Sequence, residues 1–211
     1  MKKILLLGDS IRIHYGKYVK MALEGEAEVF YPEINCRFAS FLYRNLYIWQ
    51  NELGLDDSVD AVHWNAGLWD VLVMPDGETF TPPEVYRYYL DRICRTLRAM
   101  YPKAEIIFAT STSVVEAGYN FYKRFNRDIR EYNAIAMDVA ASHCFRINDL
   151  YGLTENIPSE YRSDMTHFNT AGGAALLTGR VVSALEEALD IRGREVDFES
   201  FFAKETNIVG I

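Results

Sequence analysis

The chain is short of the residues that would tie it to a metal, a membrane or a polyanion. Its three cysteines, Cys36, Cys94 and Cys144, are odd in number and far apart. They give no disulfide framework, and reduced, partly buried thiols are expected. Four histidines come with no His-x-x-x-His and no Cys-x-x-Cys, so zinc is disfavoured and no metal or other cofactor is expected. No apolar run is long enough to span a bilayer. Met1-Lys2-Lys3 and Ile4–Leu7 imitate the start of a secretion signal, but the apolar run is too short for one, and the chain reads as cytoplasmic. Basic residues are outnumbered, 22 against 30 acidic, leaving a net charge of −8 and a pI near 5.1. That balance argues against nucleic acid or an anionic membrane as the main partner. Repeats, linkers, hairpin signals and a second domain are absent from the pattern as well.

What remains is 49% hydrophobic and 25% charged, enough for one sizeable core. Aromatic residues reach 14%, which suits a site that stacks on sugar rings or apolar chains, although most rings belong to the core. Strand and helix patterns alternate. Strands are predicted at Ile4–Leu7, Ala27–Tyr31, Val59–Asn65, Ala104–Thr110 and Cys144–Asn148. Helices are predicted over 13–24, 39–53, from Pro83 to about Met100, 127–142 and 170–189, with loops at 66–82, 111–126 and 149–169. This alternation indicates a parallel sheet with helices on both faces. Residues 191–211 form a tail whose Phe198, Phe201, Phe202, Ile208 and Val209 would be awkward in water, so it is expected to pack on the body or on another subunit.

The chain is organised around Ile4-Leu5-Leu6-Leu7-Gly8-Asp9-Ser10. An unbroken apolar run ending in glycine reads as a strand buried on both faces. A serine at the following turn has its hydroxyl at the sheet rim and its own amide among the unpaired first amides of a helix. That suits an acyl-transfer nucleophile, because the charge of a tetrahedral intermediate forms beside a waiting donor. The plainer reading is a helix cap. The partner that tips the balance is Asp164-Met165-Thr166-His167, where the carboxylate can hold one imidazole nitrogen and leave the other for a serine.

Gly-Asp-Ser on the first strand and Asp-x-x-His before the last helix resemble the SGNH, or GDSL, hydrolase family over residues 1–190. The resemblance implies a single-domain three-layer α/β/α sandwich on a five-stranded parallel sheet in flavodoxin-like order. It implies Ser10 as nucleophile, His167 as base and Asp164 as its orienting partner. The family's oxyanion hole takes the serine amide, a glycine amide after strand two and an asparagine from a Gly-x-Asn-Asp segment. This sequence departs twice. After strand two it has Asn35-Cys36-Arg37, so the amide of Cys36 or Arg37 would have to serve. After strand three it reads Gly67-Leu68-Trp69-Asp70, with tryptophan at the asparagine's place. Asn65 or Asn35 could supply the missing donor; Asn65 could equally be a buried amide pinning the loop. Trp69 is either a stacking wall for substrate or a loop anchor, and Asp70 braces the loop. His14, one turn after Ser10, and Ser111, after strand four, are candidates to line the pocket. His63 and His143 read as structural, and Asp149 is a weaker carboxylate candidate than Asp164.

The expected function is that of a serine esterase or acylhydrolase cleaving a short-chain ester, with an O-acetylated carbohydrate as first guess. An acyltransferase using the same triad, or a catalytically impaired carbohydrate- or small-molecule-binding module, are the alternatives.

Overall fold

The computed structural model describes residues 1–117 and 123–208, without the side chains of residues 204–208. Five strands, β1 (Lys2–Leu7), β2 (Ala27–Phe30), β3 (Ala61–Trp64), β4 (Glu105–Ala109) and β5 (Arg146–Asn148), form one all-parallel sheet in the order β2-β1-β3-β4-β5. The helices are α1 (Ser10–Ala22), α2 (Ala39–Glu52), α3 (Pro83–Met100), α4 (Asn126–Ser142), α5 (Leu150–Thr154), α6 (Ala171–Leu189) and α7 (Phe198–Ile208). Helices α1 and α6 pack together on one face, with α7 against α6; α2, α3 and α4 pack side by side on the other.

Sequence dictates this layering. Ile4, Leu5, Leu6 and Leu7 are all buried, as a strand covered on both faces requires. In β3 every residue is buried, His63 included. Its imidazole lies between the Tyr15 hydroxyl (3.4 Å from Nδ1) and the Asn148 amide (3.0 Å from Nε2), and burial pushes its pKa down to about 3. It is a neutral core histidine, and His143, bonded to Asp91 at 2.8 Å, ties the end of α4 to α3.

The first predicted strand starts two residues inside the observed β1, the other four run one or two residues past the observed ends, and three helical pieces went unpredicted. Two are α5 and a 3-10 turn at Ser159–Tyr161, both inside the expected 149–169 loop. The third is α7, in the expected tail. Its Phe198, Phe201 and Phe202 rings gather around Tyr18 of α1, with centroids 5.0, 5.7 and 6.2 Å away. The side chain of Ile208 and all of Val209, expected to pack with them, lie outside the described residues. Among the described residues no helix is long and apolar enough to cross a membrane.

Between β1 and β3 the chain's connections diverge to opposite faces, and the crevice at the carboxyl ends of these strands is where such sheets bind ligands. Ser10 follows β1, the Asn65–Asp70 segment follows β3, and the loop carrying Asp164 and His167 arrives from beyond β5.

Candidate active site

Ser10 is the first residue of α1, half-buried, and the turn before it is built for close approach. Asp9 caps the helix, its Oδ1 accepting the Ile11 amide at 2.9 Å, so the cap and the candidate nucleophile are neighbouring residues rather than competing readings of one. With that bond made by Ile11, the Ser10 amide has no hydrogen-bond partner among the described residues. Gly8 has no room for a side chain: a Cβ there would lie 2.0 Å from Asn65 Oδ1 and 2.8 Å from Arg12 Cβ. Asp9 itself is fully buried, and burial raises its pKa against the opposing pull of the Ile11 amide, Arg124, His167 and Arg12.

The Ser10 hydroxyl donates to His167 Nε2 at 2.8 Å, and His167 Nδ1 donates to Asp164 Oδ2 at 2.8 Å. The Asp-x-x-His spacing makes this possible through the backbone. Asp164 Oδ1 accepts the amides of Thr166 (2.7 Å) and His167 (2.8 Å), so one carboxylate folds the turn and aims the ring. Burial pushes the Asp164 pKa up, but the donors from Thr166 and His167 outweigh it and hold it below the usual carboxylate value. It remains a carboxylate across neutral pH.

Around this trio the sequence candidates divide. On the β2 side both backbone amides proposed to fill the family glycine's place are already given away. Cys36 N–H bonds Gly8 O at 3.0 Å, and Arg37 N–H bonds Asn35 Oδ1 at 2.7 Å. Asn35 therefore spends its carbonyl on a local turn. Arg37 has φ 53°, the left-handed region that glycine enters freely, which marks it as the residue standing where a glycine would serve.

On the β3 side, Asn65 is buried, with Nδ2 3.4 Å from Asp9 Oδ2, a long bond that leaves the amide only loosely committed. The Gly67 amide has no hydrogen-bond partner among the described residues, and Gly67 has φ 153°. A Cβ on it would strike Ser111 Oγ at 2.3 Å. Ser111 is thus packed beneath the loop, with its backbone amide and carbonyl both held by Asn133, rather than open to a ligand. Trp69 is half-buried, in keeping with a wall or an anchor. Asp70 braces, as its position in the motif implies: both of its oxygens accept the Ala39 amide (3.2 and 3.1 Å) at the start of α2, and burial pushes its pKa up to about 7. Asp149 caps α5 through Gly152 and accepts Thr110 Oγ1, a structural task.

His14 packs its ring against His167, with centroids 5.5 Å apart at 74°, and accepts Asn169 Nδ2 at Nε2 (3.0 Å). Burial and the neighbouring His167 and Lys17 lower its pKa.

Three contributors escaped the sequence reading. Arg162 donates to Ser113 O (3.0 Å), Ser113 Oγ (2.6 Å) and Thr154 O (3.0 Å) and lies over the Phe168 ring at 4.5 Å, pinning the loop that carries Asp164 and His167. Arg124, buried, donates to the Leu68 carbonyl at 2.5 Å. Asn169 orients His14. None has a local signal, because each acts on a segment distant in sequence. Among the described residues no group of three or more His, Cys, Asp or Glu is placed to hold a metal ion.

Comparison with known proteins bears on this arrangement. Residues 6–175 match the model of the GDSL-like Lipase/Acylhydrolase family. Solved structures of similar fold include the acetyl xylan esterase AlAXEase, 18% identical with a TM-score of 0.68 over 87% of this chain and 99% of that one. They also include a lipase/acylhydrolase from Enterococcus faecalis, 20% identical with a TM-score of 0.68 over 93% of this chain and 100% of that one. A third is the aryl esterase of M. smegmatis, 13% identical with a TM-score of 0.67 over 90% and 100%. No curated protein matches the sequence.

Proposed function

The chain belongs to the GDSL-like lipase/acylhydrolase family of carboxylic ester hydrolases, and from that premise we propose that it cleaves a short-chain ester through an acyl-enzyme on Ser10. The observation that carries this reading is the continuous chain Ser10 Oγ–His167 Nε2 and His167 Nδ1–Asp164 Oδ2, both at 2.8 Å. As Ser10 Oγ attacks the acyl carbon, its proton passes to His167 Nε2. Asp164, held ionised, stabilises the imidazolium and fixes the tautomer with Nδ1 protonated. The carbonyl oxygen gains negative charge beside the unpartnered Ser10 amide, with Asn65 Nδ2 as the side-chain donor in place of the family asparagine. Collapse of the intermediate breaks the bond to the alcohol oxygen, which takes the proton from His167. A water then repeats the sequence, giving its proton to His167 as it attacks the acyl carbon; the acid leaves and Ser10 recovers its proton.

The alcohol we propose is an acetylated carbohydrate. Support comes from the half-buried Trp69 in the loop after β3, together with an acetyl xylan esterase among the proteins of like fold. The test is a burst of product with p-nitrophenyl acetate, followed by labelling with a serine-directed phosphonate and mapping of the peptide. Label on Ser10, and loss of turnover in Ser10→Ala at an unchanged melting temperature, are expected. Label on Ser111 or Ser163 instead would refute the assignment, and adding acceptor alcohols in the same assay separates transfer from hydrolysis.

A further inference from the structure

A cavity of about 210 Å³ lies along α1 on the His167 side of Ser10, lined by His14, Lys17, Tyr18, Asn169, Ala174 and Phe202. We infer that it is the subsite for the leaving alcohol and that it takes a single sugar ring, an inference that rests on the Ser10–His167 reading above.

The side of the site follows from the chemistry. His167 hands its proton to the departing oxygen, so the alcohol must sit on the imidazole side of the serine, away from the Ser10 amide. His14 is the shared wall, because the ring that packs against His167 at 5.5 Å also lines the cavity. Along α1, His14 is four residues from Ser10 and Tyr18 four further, rises of about 6 Å each. On this inference a six-membered ring held beside His14 presents an ester on one of its hydroxyls to Ser10 Oγ, one helical turn away.

The lining is mixed in the way a sugar is. Asn169 donates Nδ2 to His14, while its Oδ1 is buried with no hydrogen-bond partner, so it calls for a donor from outside the chain. The Lys17 ammonium stands 4.8 Å from the Tyr18 ring centroid, which puts a donor at that wall, and Phe202, packed on the buried Tyr18, offers the aromatic face. A hydroxyl gives a hydrogen to Asn169 and accepts one from Lys17, and the apolar face of a pyranose stacks on a ring. An alkyl chain would leave the Asn169 carbonyl unanswered; ethanol would leave the aromatic walls unfilled. Drug-sized ligands occupy pockets of roughly 300–1,000 Å³, so this volume suits one ring rather than a chain of them. Phe202 belongs to α7, which makes the C-terminal helix a wall of the subsite rather than a remote appendage.

The experiment compares methyl 2-O-acetyl-β-D-xylopyranoside with ethyl acetate on the whole chain. Phe202→Ala should lower kcat/KM for the sugar ester at least about tenfold more than for ethyl acetate, with the difference in KM. Phe202→Tyr, which keeps a ring, should restore the ratio. Independently, methyl β-D-xylopyranoside titrated into Ser10→Ala protein should shift the ring proton resonances of His14, and Phe202→Ala should abolish that shift. Equal losses on both esters, or a His14 resonance that the sugar leaves unmoved, would overturn the subsite while Ser10 labelling stands. If neither ester is turned over and the phosphonate does not label Ser10, the nucleophile reading has failed, and the sugar titration alone decides whether the cavity holds a ring.

Discussion

Replacing Arg162 by methionine asks whether the loop bearing Asp164 and His167 is held from beneath. The stem is kept and the guanidinium is lost, and with it three hydrogen bonds, to Ser113 O, Ser113 Oγ and Thr154 O, and the stacking on Phe168. Part of the network survives, because Ser113 Oγ still donates to Thr154 O at 2.7 Å. Charged hydrogen bonds contribute about 1.5–3 kcal/mol each and an exposed cation–π contact about 0.5–1, but they are not additive here. A net loss of roughly 2–4 kcal/mol is a reasonable total for a half-buried arginine. Other ties remain, among them the Val115 amide to the Met165 carbonyl at 2.8 Å and Asn169 to His14 at 3.0 Å, so the loop should loosen rather than detach. Loosening is enough, since a displacement of about 1 Å in a catalytic group costs on the order of a hundredfold in rate. Initial rates with p-nitrophenyl acetate should show kcat down by about that factor and KM nearly unchanged. Amide exchange in residues 163–169 should quicken. Arg162→Lys, which can restore one contact but not the fork, should fall between. A methionine variant with wild-type kcat, or one that loses KM alone, would refute the anchoring argument.

Asn65→Ala should lower kcat by roughly a hundred- to a thousandfold with little change in KM, as removal of one oxyanion donor does, whereas Trp69→Phe should act mildly and on KM; the reverse pattern would make the indole the donor. Gly8→Ala places a methyl group against Asn65 and Arg12 and should cost about 1–3 kcal/mol in urea unfolding as well as activity; unaltered stability would show that Asn65 can step aside freely. His63 stays neutral in the folded chain down to about pH 3, while its unfolded-state value is 6.5. The unfolded chain therefore binds the extra proton between those values, and this residue's contribution to stability is lost as pH falls below 6.5. Urea midpoints from pH 7 to pH 4 should fall less steeply in His63→Gln than in the wild type, and parallel curves would count against the burial argument.

Much of this site was legible because its signals are short-range. The apolar run into Gly8-Asp9-Ser10 specifies a buried strand, a tight turn and a helix start within one stretch. Asp164 folds its own turn through amides two and three residues on, so the spacing to His167 carries its geometry with it. Illegible were the contacts between distant segments. Nothing around Arg162 points to Ser113, 49 residues back, and nothing in Asn35-Cys36-Arg37 says that both following amides are already bonded. Helix α7 escaped for a related reason. Its Phe198, Phe201 and Phe202 stand at helical spacing, but that stripe is a single turn long, and the partner that fixes it, Tyr18, is 180 residues or more away.

The hydrogen bond between Ser10 and His167 joins residues 157 positions apart, with four of the five strands strung between them. Closing so long a loop is entropically slow, and parallel strands cannot pair before their crossovers are made. A chain that has collapsed, or even assembled β1 with its two neighbours, still lacks a base beside its serine. Hydrolytic competence should consequently return only with the last phase of refolding, well after far-ultraviolet ellipticity has recovered. On the proposed mechanism Ser10 stays quiescent on the emerging chain until His167 has been synthesised and docked, which spares the cell a half-folded esterase.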